Sequence, residues 1–122
     1  MGEISVDFSD VVKTFQSIKH DKQLAFVSSK YKGDIDANIQ KAIEYGKIAI
    51  EMGYIPIVPH LYLPLMLDDD DPEQRELAQE MCLELVKRCD VFLQCGDMSK
   101  DSFMVEELAQ AVKCHKAIKR VC

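Results

Sequence analysis

The sequence lacks several features that would assign it to a class of protein. Its 122 residues contain no apolar run of roughly 18 residues, so no transmembrane helix is expected. The segment MGEISVDFSD has no basic stretch followed by an apolar one, so no secretion signal is expected. Acidic residues outnumber basic ones, 21 to 15, and the net charge of −6 argues against a broad surface for nucleic acid or anionic membranes.

Short motifs for common cofactors are absent as well. Neither GxGxxG nor GxxxxGK[ST] occurs, so the sequence supports neither a dinucleotide fingerprint nor a P-loop. Five cysteines stand at positions 82, 89, 95, 114 and 122, and none forms a CxxC pair of the kind that zinc sites use. Reduced, partly buried cysteines in a cytoplasmic protein are the simplest interpretation, and no metal or cofactor is expected.

What is present is an alternation of strand and helix patterns. The apolar pattern predicts a helical appendage over residues 1–22 and a single α/β domain over residues 23–122. Within the domain, strands are predicted at 24–27, 54–58, 90–95 and 117–121, and helices at 34–52, from Pro72 to about residue 89, and at 104–113. Pro56 suggests that the second strand lies near an edge of the sheet.

This alternation, with apolar strands, predicts a parallel sheet covered by helices on both faces and joined by right-handed crossovers. We expect a small doubly wound sheet with strand order 2-1-3-4. Such sheets bind ligands beyond the carboxyl ends of the strands, near the switch in strand order. The polar loops 28–34, 59–71 and 95–103 are therefore the places where a site is expected.

The first of these loops, within VSSKYKGD, offers hydroxyl groups next to a predicted helix start. Ser28, Ser29 and Tyr31 can form hydrogen bonds with a ligand, and Gly33 allows a close approach of the backbone. The alternative is an ordinary turn in which Asp34 caps the helix.

The second loop combines His60 with four consecutive aspartates, 68–71. Adjacent carboxylates repel one another, so one of them is expected to keep its proton to higher pH and to serve as a general acid. The alternative is a solvated loop in which Asp71 caps the helix at Pro72 and Arg75 pairs with the acids. Calcium is a minor alternative, because EF-hand spacing is absent.

The third loop leads into a helix that opens with Glu106 and Glu107. Glutamates are favoured in a first turn by the helix dipole alone, which is the simplest explanation. Their neighbours Met104, Val105 and Leu108 are apolar, however, so one glutamate could instead face a desolvated pocket at the strand ends.

Five segments in order carry a resemblance to a group of enzymes. They are FVSSKYKGDIDANIQKA, GYIPIVPHLYLP, LDDDDPEQRELA, LVKRCDVFLQCGD and MVEELAQA, within residues 23–121. They resemble the nucleoside 2-deoxyribosyltransferase-like superfamily, which includes deoxynucleoside monophosphate N-glycosidases, and above all a small branch common in bacteria and their phages. The resemblance implies a flavodoxin-like fold and cleavage or exchange at an N-glycosidic bond of a small nucleoside or nucleotide.

The resemblance also implies roles for three residues. Glu107 matches the glutamate that attacks the anomeric carbon of the sugar, Tyr31 the tyrosine that orients it, and Asp101 a polar residue that touches the substrate. The other candidate substrate contacts, in and next to the three loops, are Ser28, Ser29, Gly33, His60, Asp69, Asp71, Arg75, Gly96 and Ser102.

Three positions depart from the pattern of the resembled enzymes. Lys30 stands in place of a usual proline, and Phe103 in place of a glycine, which would narrow the pocket. Cys82 stands where the transferases carry an aspartate, so Glu80, Glu84 or the aspartate loop would have to replace that carboxylate.

Two other functions fit the same residues: a nucleotide-binding or sensing module without catalysis, and an interaction protein acting between phage and host. Retention of Tyr31 and Glu107 favours catalysis, whereas the departures favour binding alone. The resembled enzymes assemble into oligomers, and the apolar residues within 61–67 are expected to form such a contact between copies of this chain unless they pack beneath the aspartates.

Overall fold

Strands and helices alternate along the computed structural model, which describes residues 9, 22–98 and 101–121. The strands are β1 (Leu24–Ser28), β2 (Ile55–Ile57), β3 (Val91–Cys95) and β4 (Ala117–Val121). The helices are α1 (Ile35–Glu51), α2 (Pro72–Arg88) and α3 (Ser102–Lys113). The appendage predicted for residues 1–22 lies almost entirely outside the described residues, as does Cys122.

The four strands form one parallel sheet in the order β2-β1-β3-β4. The predicted order and fold class are therefore confirmed, and no strand boundary differs from its prediction by more than one residue. The chain order reverses between β1 and β3, whose last pairing joins Ser28 to Gln94. This pairing places the end of β1 directly beside the loop that follows β3.

The two faces of the sheet are covered by different helices, because successive residues of a strand point to opposite faces. On one face Ala25 and Val27 pack against Ala42 and Ala49 of α1. On the other face Phe26 and Phe92 pack against α2 and α3, with their rings stacked at 5.8 Å between centroids. The sheet is therefore doubly wound, as predicted.

The cover is incomplete at the β4 edge. Residues 117–120 are exposed, although the expectation was a sheet covered on both faces. The physical reason is that β4 is an edge strand with a free side, while α3 packs mainly on α2. β2 is the opposite edge, as Pro56 indicated.

An aspartate caps each of the three helices, and all three caps follow the carboxyl end of a strand. Asp34 accepts a hydrogen bond from the backbone N–H of Ala37, and Asp71 accepts one from Glu73. Asp101 caps α3, which therefore begins at Ser102, two residues earlier than the prediction of 104. The long loop before α2 contains two short 3₁₀ turns, Pro59–Leu61 and Leu63–Leu65.

The cysteines of the described residues are free thiols, and three of them, Cys82, Cys89 and Cys95, are buried. Burial raises the pKa of Cys82 and Cys95 to about 12, so these thiols stay protonated and unreactive. In the part of the chain that the structure describes, no helix is long and apolar enough to cross a membrane. Within the same ranges, no three metal-binding side chains come together.

Candidate active site

A cavity of about 240 Å³ lies at the carboxyl end of the sheet. The three polar loops that follow β1, β2 and β3 all contribute to its lining, together with the first half of α2. Six of the predicted site residues line it: Tyr31, His60, Asp69, Arg75, Asp101 and Ser102. Much of the remaining wall is apolar, with Leu63, Pro64, Leu67, Ala78 and Phe103.

The other predicted residues lie elsewhere. Ser29 and Gly96 line a second cavity on the α1 side of the sheet. Gly33 and Asp71 line none of the cavities found in the described ranges. Gly33 has a φ of 101°, which favours glycine in this turn, and Asp71 caps α2. Both have evident roles in forming the loops.

The most unusual group at this end of the sheet is the carboxyl group of Glu107, which is only 1% exposed. The hydroxyl of Ser28, at the end of β1, donates a hydrogen bond of 2.9 Å to its Oε1. Burial raises the pKa of Glu107 to about 8, with a contribution in the same direction from Asp101 and Glu106, while the Ser28 bond lowers it. The group therefore holds its proton at neutral pH in the free protein.

Glu107 lies below the cavity and is not among the residues that line it within the described ranges. Cys82 does line the cavity. The pKa of the Cys82 thiol is raised first of all by burial and secondly by the carboxylate of Glu107. The position that the resemblance assigned to an aspartate is thus a buried thiol beside the glutamate. The aromatic ring of Phe103 also stands in the cavity wall.

Asp101 connects the helix start with both cavities. Its Oδ1 accepts hydrogen bonds of 3.0 Å from the backbone N–H groups of Phe103 and Met104. Both of these bonds use Oδ1, so with respect to the described residues the second oxygen can accept a bond from a ligand. Asp101 is also close enough to Glu107 to raise the pKa of that group.

His60 and Tyr31 form an aromatic corner of the cavity, with ring centroids 5.4 Å apart. The Nε2 of His60 lies 2.8 Å from the carbonyl oxygen of Ser29, so Nε2 carries the proton and donates it. Burial lowers the pKa of His60, so the ring is neutral, and Nδ1 is the acceptor. Sequence reasoning found no partner for His60 because the partner is a backbone carbonyl.

The phenol of Tyr31 stays protonated over the physiological range. Burial raises its pKa, and the carboxylates of Asp69 and Asp70 raise it further. Tyr31 is therefore a neutral hydrogen-bond donor at the cavity. Asp69 in turn lies 3.9 Å from the ammonium group of Lys32, which is the closest approach of that loop to a cation.

Sequence reasoning named Arg75 of α2 as a substrate contact but missed Gln79, which lines the same cavity. The residues of α2 that line the cavity include Arg75, Gln79 and Cys82. Their spacing of four and three residues places them on one face of a helix, and this spacing is the signal in the sequence that could have identified them as a group. Arg75 does not pair with the acids as the alternative expected: in the described ranges it has no ion pair, and its guanidinium lies 4.8 Å from the ring centre of Phe103.

Gln79 connects α2 to the start of α3. It is buried, and its amide donates a hydrogen bond of 3.1 Å to Oε2 of Glu106. The adjacent glutamates therefore have different partners, since Glu106 faces α2 and Glu107 faces β1. Only Glu107 lies at the meeting point of β1, β3 and α3.

The fold is that of known 2-deoxyribosyltransferases. The structure superposes with a TM-score of 0.65 on the 2-deoxyribosyltransferase of the psychrotolerant bacterium Bacillus psychrosaccharolyticus, at 15% identity over 80% of this chain and 70% of that one. It superposes with a TM-score of 0.53 on the enzyme of Leishmania mexicana, at 13% identity over 80% of this chain and 63% of that one. At identities this low, the likeness between the structures shows a shared fold and nothing further.

Comparison of sequences gives the family. No curated protein matches this sequence. A family model described as a domain of unknown function (DUF7768) matches residues 23–121, and the chain therefore belongs to that family.

Proposed function

We propose that this protein cleaves the N-glycosidic bond of a 2-deoxynucleoside or its monophosphate, or transfers the sugar to another base, with Glu107 as the nucleophile. The observation that carries the proposal is the Glu107–Ser28 pair at the switch in strand order. A buried, hydrogen-bonded carboxyl group beneath a cavity is costly for a fold and is typical of catalytic groups. The likeness in fold to 2-deoxyribosyltransferases supports the same reaction class.

The chemistry divides one displacement into two easier ones. An ionised Glu107 oxygen forms a bond to the anomeric carbon while the bond from that carbon to the base breaks, and the base leaves with the bonding electrons and takes up a proton from water. Water, which gives up a proton to the solvent, or a second base then attacks the same carbon and displaces Glu107 as a carboxylate. The hydroxyl of Ser28 holds Oε1, which leaves Oε2 for the attack.

The surrounding residues have roles that follow from their positions. The apolar wall of the first cavity, with the ring of Phe103, suits the flat face of a nucleobase. Asp69 lies in this wall, where its carboxylate can accept a hydrogen bond from an N–H group of the base. Tyr31 is a neutral donor that can orient the sugar or the nucleophile, and the free oxygen of Asp101 can accept a bond from a sugar hydroxyl.

A second candidate function is nucleotide binding without catalysis, and one observation favours it. Glu107 is 1% exposed and lies outside the cavity lining, whereas Phe103 and Cys82 are part of that lining. Because Glu107 is so deeply buried, it can reach a sugar only if neighbouring side chains move when the ligand binds. A chain in which that movement does not occur would bind a nucleotide and leave it intact.

The test of the reaction is release or exchange of base from a panel of deoxynucleosides and their monophosphates, followed by chromatography. We expect Glu107→Ala to lose activity by orders of magnitude, as other covalent catalysts do when the nucleophile is removed. Glu106→Ala is the matched control, because it removes the neighbouring carboxylate, and it should keep most of the activity. Comparable activity of Glu107→Ala and wild type would refute the assignment.

A thermal-shift panel with the same compounds separates the two candidates. If the wild-type protein releases no base from any compound but is stabilised by nucleotides, the binding module is the correct function. If no compound shifts the melting temperature and none is cleaved, both candidates are wrong.

A further inference from the structure

A second cavity, of about 260 Å³, adjoins the first one at the carboxyl end of the sheet. It lies on the side of α1, which contributes Asn38 and Lys41 to its lining. Lys30 and Asp101 line both cavities, so the two spaces share a boundary at these residues. A ligand with one part in the first cavity can therefore place another part in the second.

The second cavity is more polar than the first, and some of its hydrogen-bond donors have no partner among the described residues. Lys30 and Lys41 are exposed, and neither forms an ion pair with any residue that the structure describes. Ser29 lines only this cavity among those found, and it is 1% exposed. Its Oγ is buried and has no hydrogen-bond partner within the described ranges, which is costly unless a ligand supplies one.

The walls that hold these donors are rigid. The side-chain amide of Asn38 donates hydrogen bonds of 3.1 and 2.9 Å to the carbonyl oxygens of Tyr31 and Lys32, and so holds the loop after β1 against α1. His60 holds the same loop from the first cavity through the Ser29 carbonyl. The backbone that carries Ser29 is thus pre-organised, which reduces the entropic cost of binding.

Two aspartates, Asp97 and Asp101, also line this cavity. Asp101 accepts two backbone N–H bonds at the start of α3, and it stands at the boundary where the cavities meet. Asp97 takes part in an interaction of its own. Lys30 and Lys41 have no ion-pair partner among the described residues, so their ammonium groups are available to an anion.

We propose that the second cavity binds the 5′-phosphate of a deoxynucleoside monophosphate whose base lies in the first cavity. The inference rests on the proposed function, because it takes the first cavity as the site of the base. Two ammonium groups and a serine hydroxyl supply charge-assisted hydrogen bonds to phosphate oxygens. The sugar then lies at the boundary, next to Asp101. The substrate class is accordingly a nucleotide, and a nucleoside lacking the phosphate binds more weakly.

The test compares a deoxynucleoside monophosphate with the matching deoxynucleoside by isothermal titration calorimetry. We expect Lys41→Gln to weaken binding of the monophosphate about tenfold, the effect of losing a bond to a charged group, and to leave the nucleoside unchanged. Lys47→Gln is the matched control, since Lys47 is an exposed lysine of the same helix that lines none of the cavities found, and it should change neither affinity.

Two further arms sharpen the result. Inorganic phosphate should compete with the monophosphate but not with the nucleoside. Ser29→Ala should also weaken binding of the monophosphate and leave binding of the nucleoside unchanged. The melting temperature of this variant shows whether the protein still folds when the buried hydroxyl is removed. Equal affinity of the wild-type protein for both compounds, or equal weakening of both by Lys41→Gln, would overturn the phosphate site.

Failure of the phosphate site is distinguishable from failure of the proposed reaction. If the monophosphate binds in a Lys41-dependent way but no base is released, the phosphate site stands and the reaction is wrong. If base is released equally fast from nucleosides and monophosphates, and Lys41→Gln changes neither rate, the reaction stands and the phosphate site is wrong.

Discussion

Replacing Glu107 with glutamine tests the state of the buried carboxyl group without any substrate. Glutamine has nearly the same shape and keeps an oxygen that accepts the hydrogen bond from Ser28, but it has no acidic proton. In the wild-type protein the pKa of Glu107 is raised from 4.5 to about 8, first of all by burial. We therefore expect the variant to be more stable than the wild type at alkaline pH.

Proton linkage gives the size of the effect. The pKa of Glu107 is 4.5 in the unfolded chain and about 8 in the folded chain, so between these two pH values the folded chain keeps the proton and the unfolded chain releases it. The free energy of unfolding therefore falls as the pH rises through this window. A shift of one pKa unit corresponds to about 1.4 kcal/mol. The free energy of unfolding of the wild-type protein should therefore fall by about 4 kcal/mol between about pH 5 and about pH 8.5 through this group alone. That loss is a large part of the stability of an ordinary domain.

The assay is urea denaturation of the wild type, Glu107→Gln and Glu106→Gln at both pH values. Glu106 is the matched control because it is adjacent in sequence, exposed, and bonded to Gln79 rather than to β1. Apart from Glu106, which has a small effect on the pKa of Glu107, all other titrating groups are common to the three proteins, so their effects cancel in the comparison. We expect the wild type and Glu106→Gln to lose stability alike, and Glu107→Gln to retain several kcal/mol more.

One result would refute the reasoning. If the three proteins lose stability in parallel from acid to alkaline pH, Glu107 is ionised in the folded protein with an ordinary pKa. Burial would then not hold the proton, and the electrostatic description of the site would be wrong.

Four more predictions concern the site and the surface. If Glu107 is the nucleophile, base release by the wild type should rise with pH through about 8, and Ser28→Ala should move the rise to higher pH because its hydroxyl lowers the pKa of Glu107. Asp101→Ala should cost about 1 kcal/mol in urea denaturation, through loss of the α3 cap. Gly96→Ala should lower the melting temperature, with a cost of about 1–2 kcal/mol, because φ is 79° and the added Cβ would lie 3.2 Å from a tyrosine hydroxyl. Light scattering should give more than a monomer mass, and Leu65→Ser, at a position that is 86% exposed, should return the monomer.

The fold was largely predictable because its signals are local. The apolar runs at 24–27 and 90–95 and the helical stripes between them depend only on neighbouring residues, and they indicated a doubly wound sheet, whose expected order is the one observed, β2-β1-β3-β4. The caps at Asp34 and Asp71 were likewise visible as an aspartate before a helical pattern. The crossover rule then left few topologies for a chain of this pattern.

The region of the site was also predictable, since parallel strands bring the ends of 28–34, 59–71 and 95–103 to one edge of the sheet. Which side chains share a cavity was not. Asp71 was a candidate for substrate contact, yet it caps α2, while Gln79 and Lys41 were not considered and line the cavities. A loop sequence does not specify the direction of its side chains, because that direction depends on the segments packed against it.

The sequence alone determined an α/β chain with a parallel sheet, because period and composition express burial along one segment. The general rule for such sheets then gave the edge at which a site is expected. Tertiary structure alone decided that Glu107 is buried, with its proton held and its carboxyl group bonded to Ser28, 79 residues away. The two adjacent glutamates are indistinguishable as residue types. Only the packing of α3 on β1 and α2 gives one of them a desolvated environment and the other an exposed one.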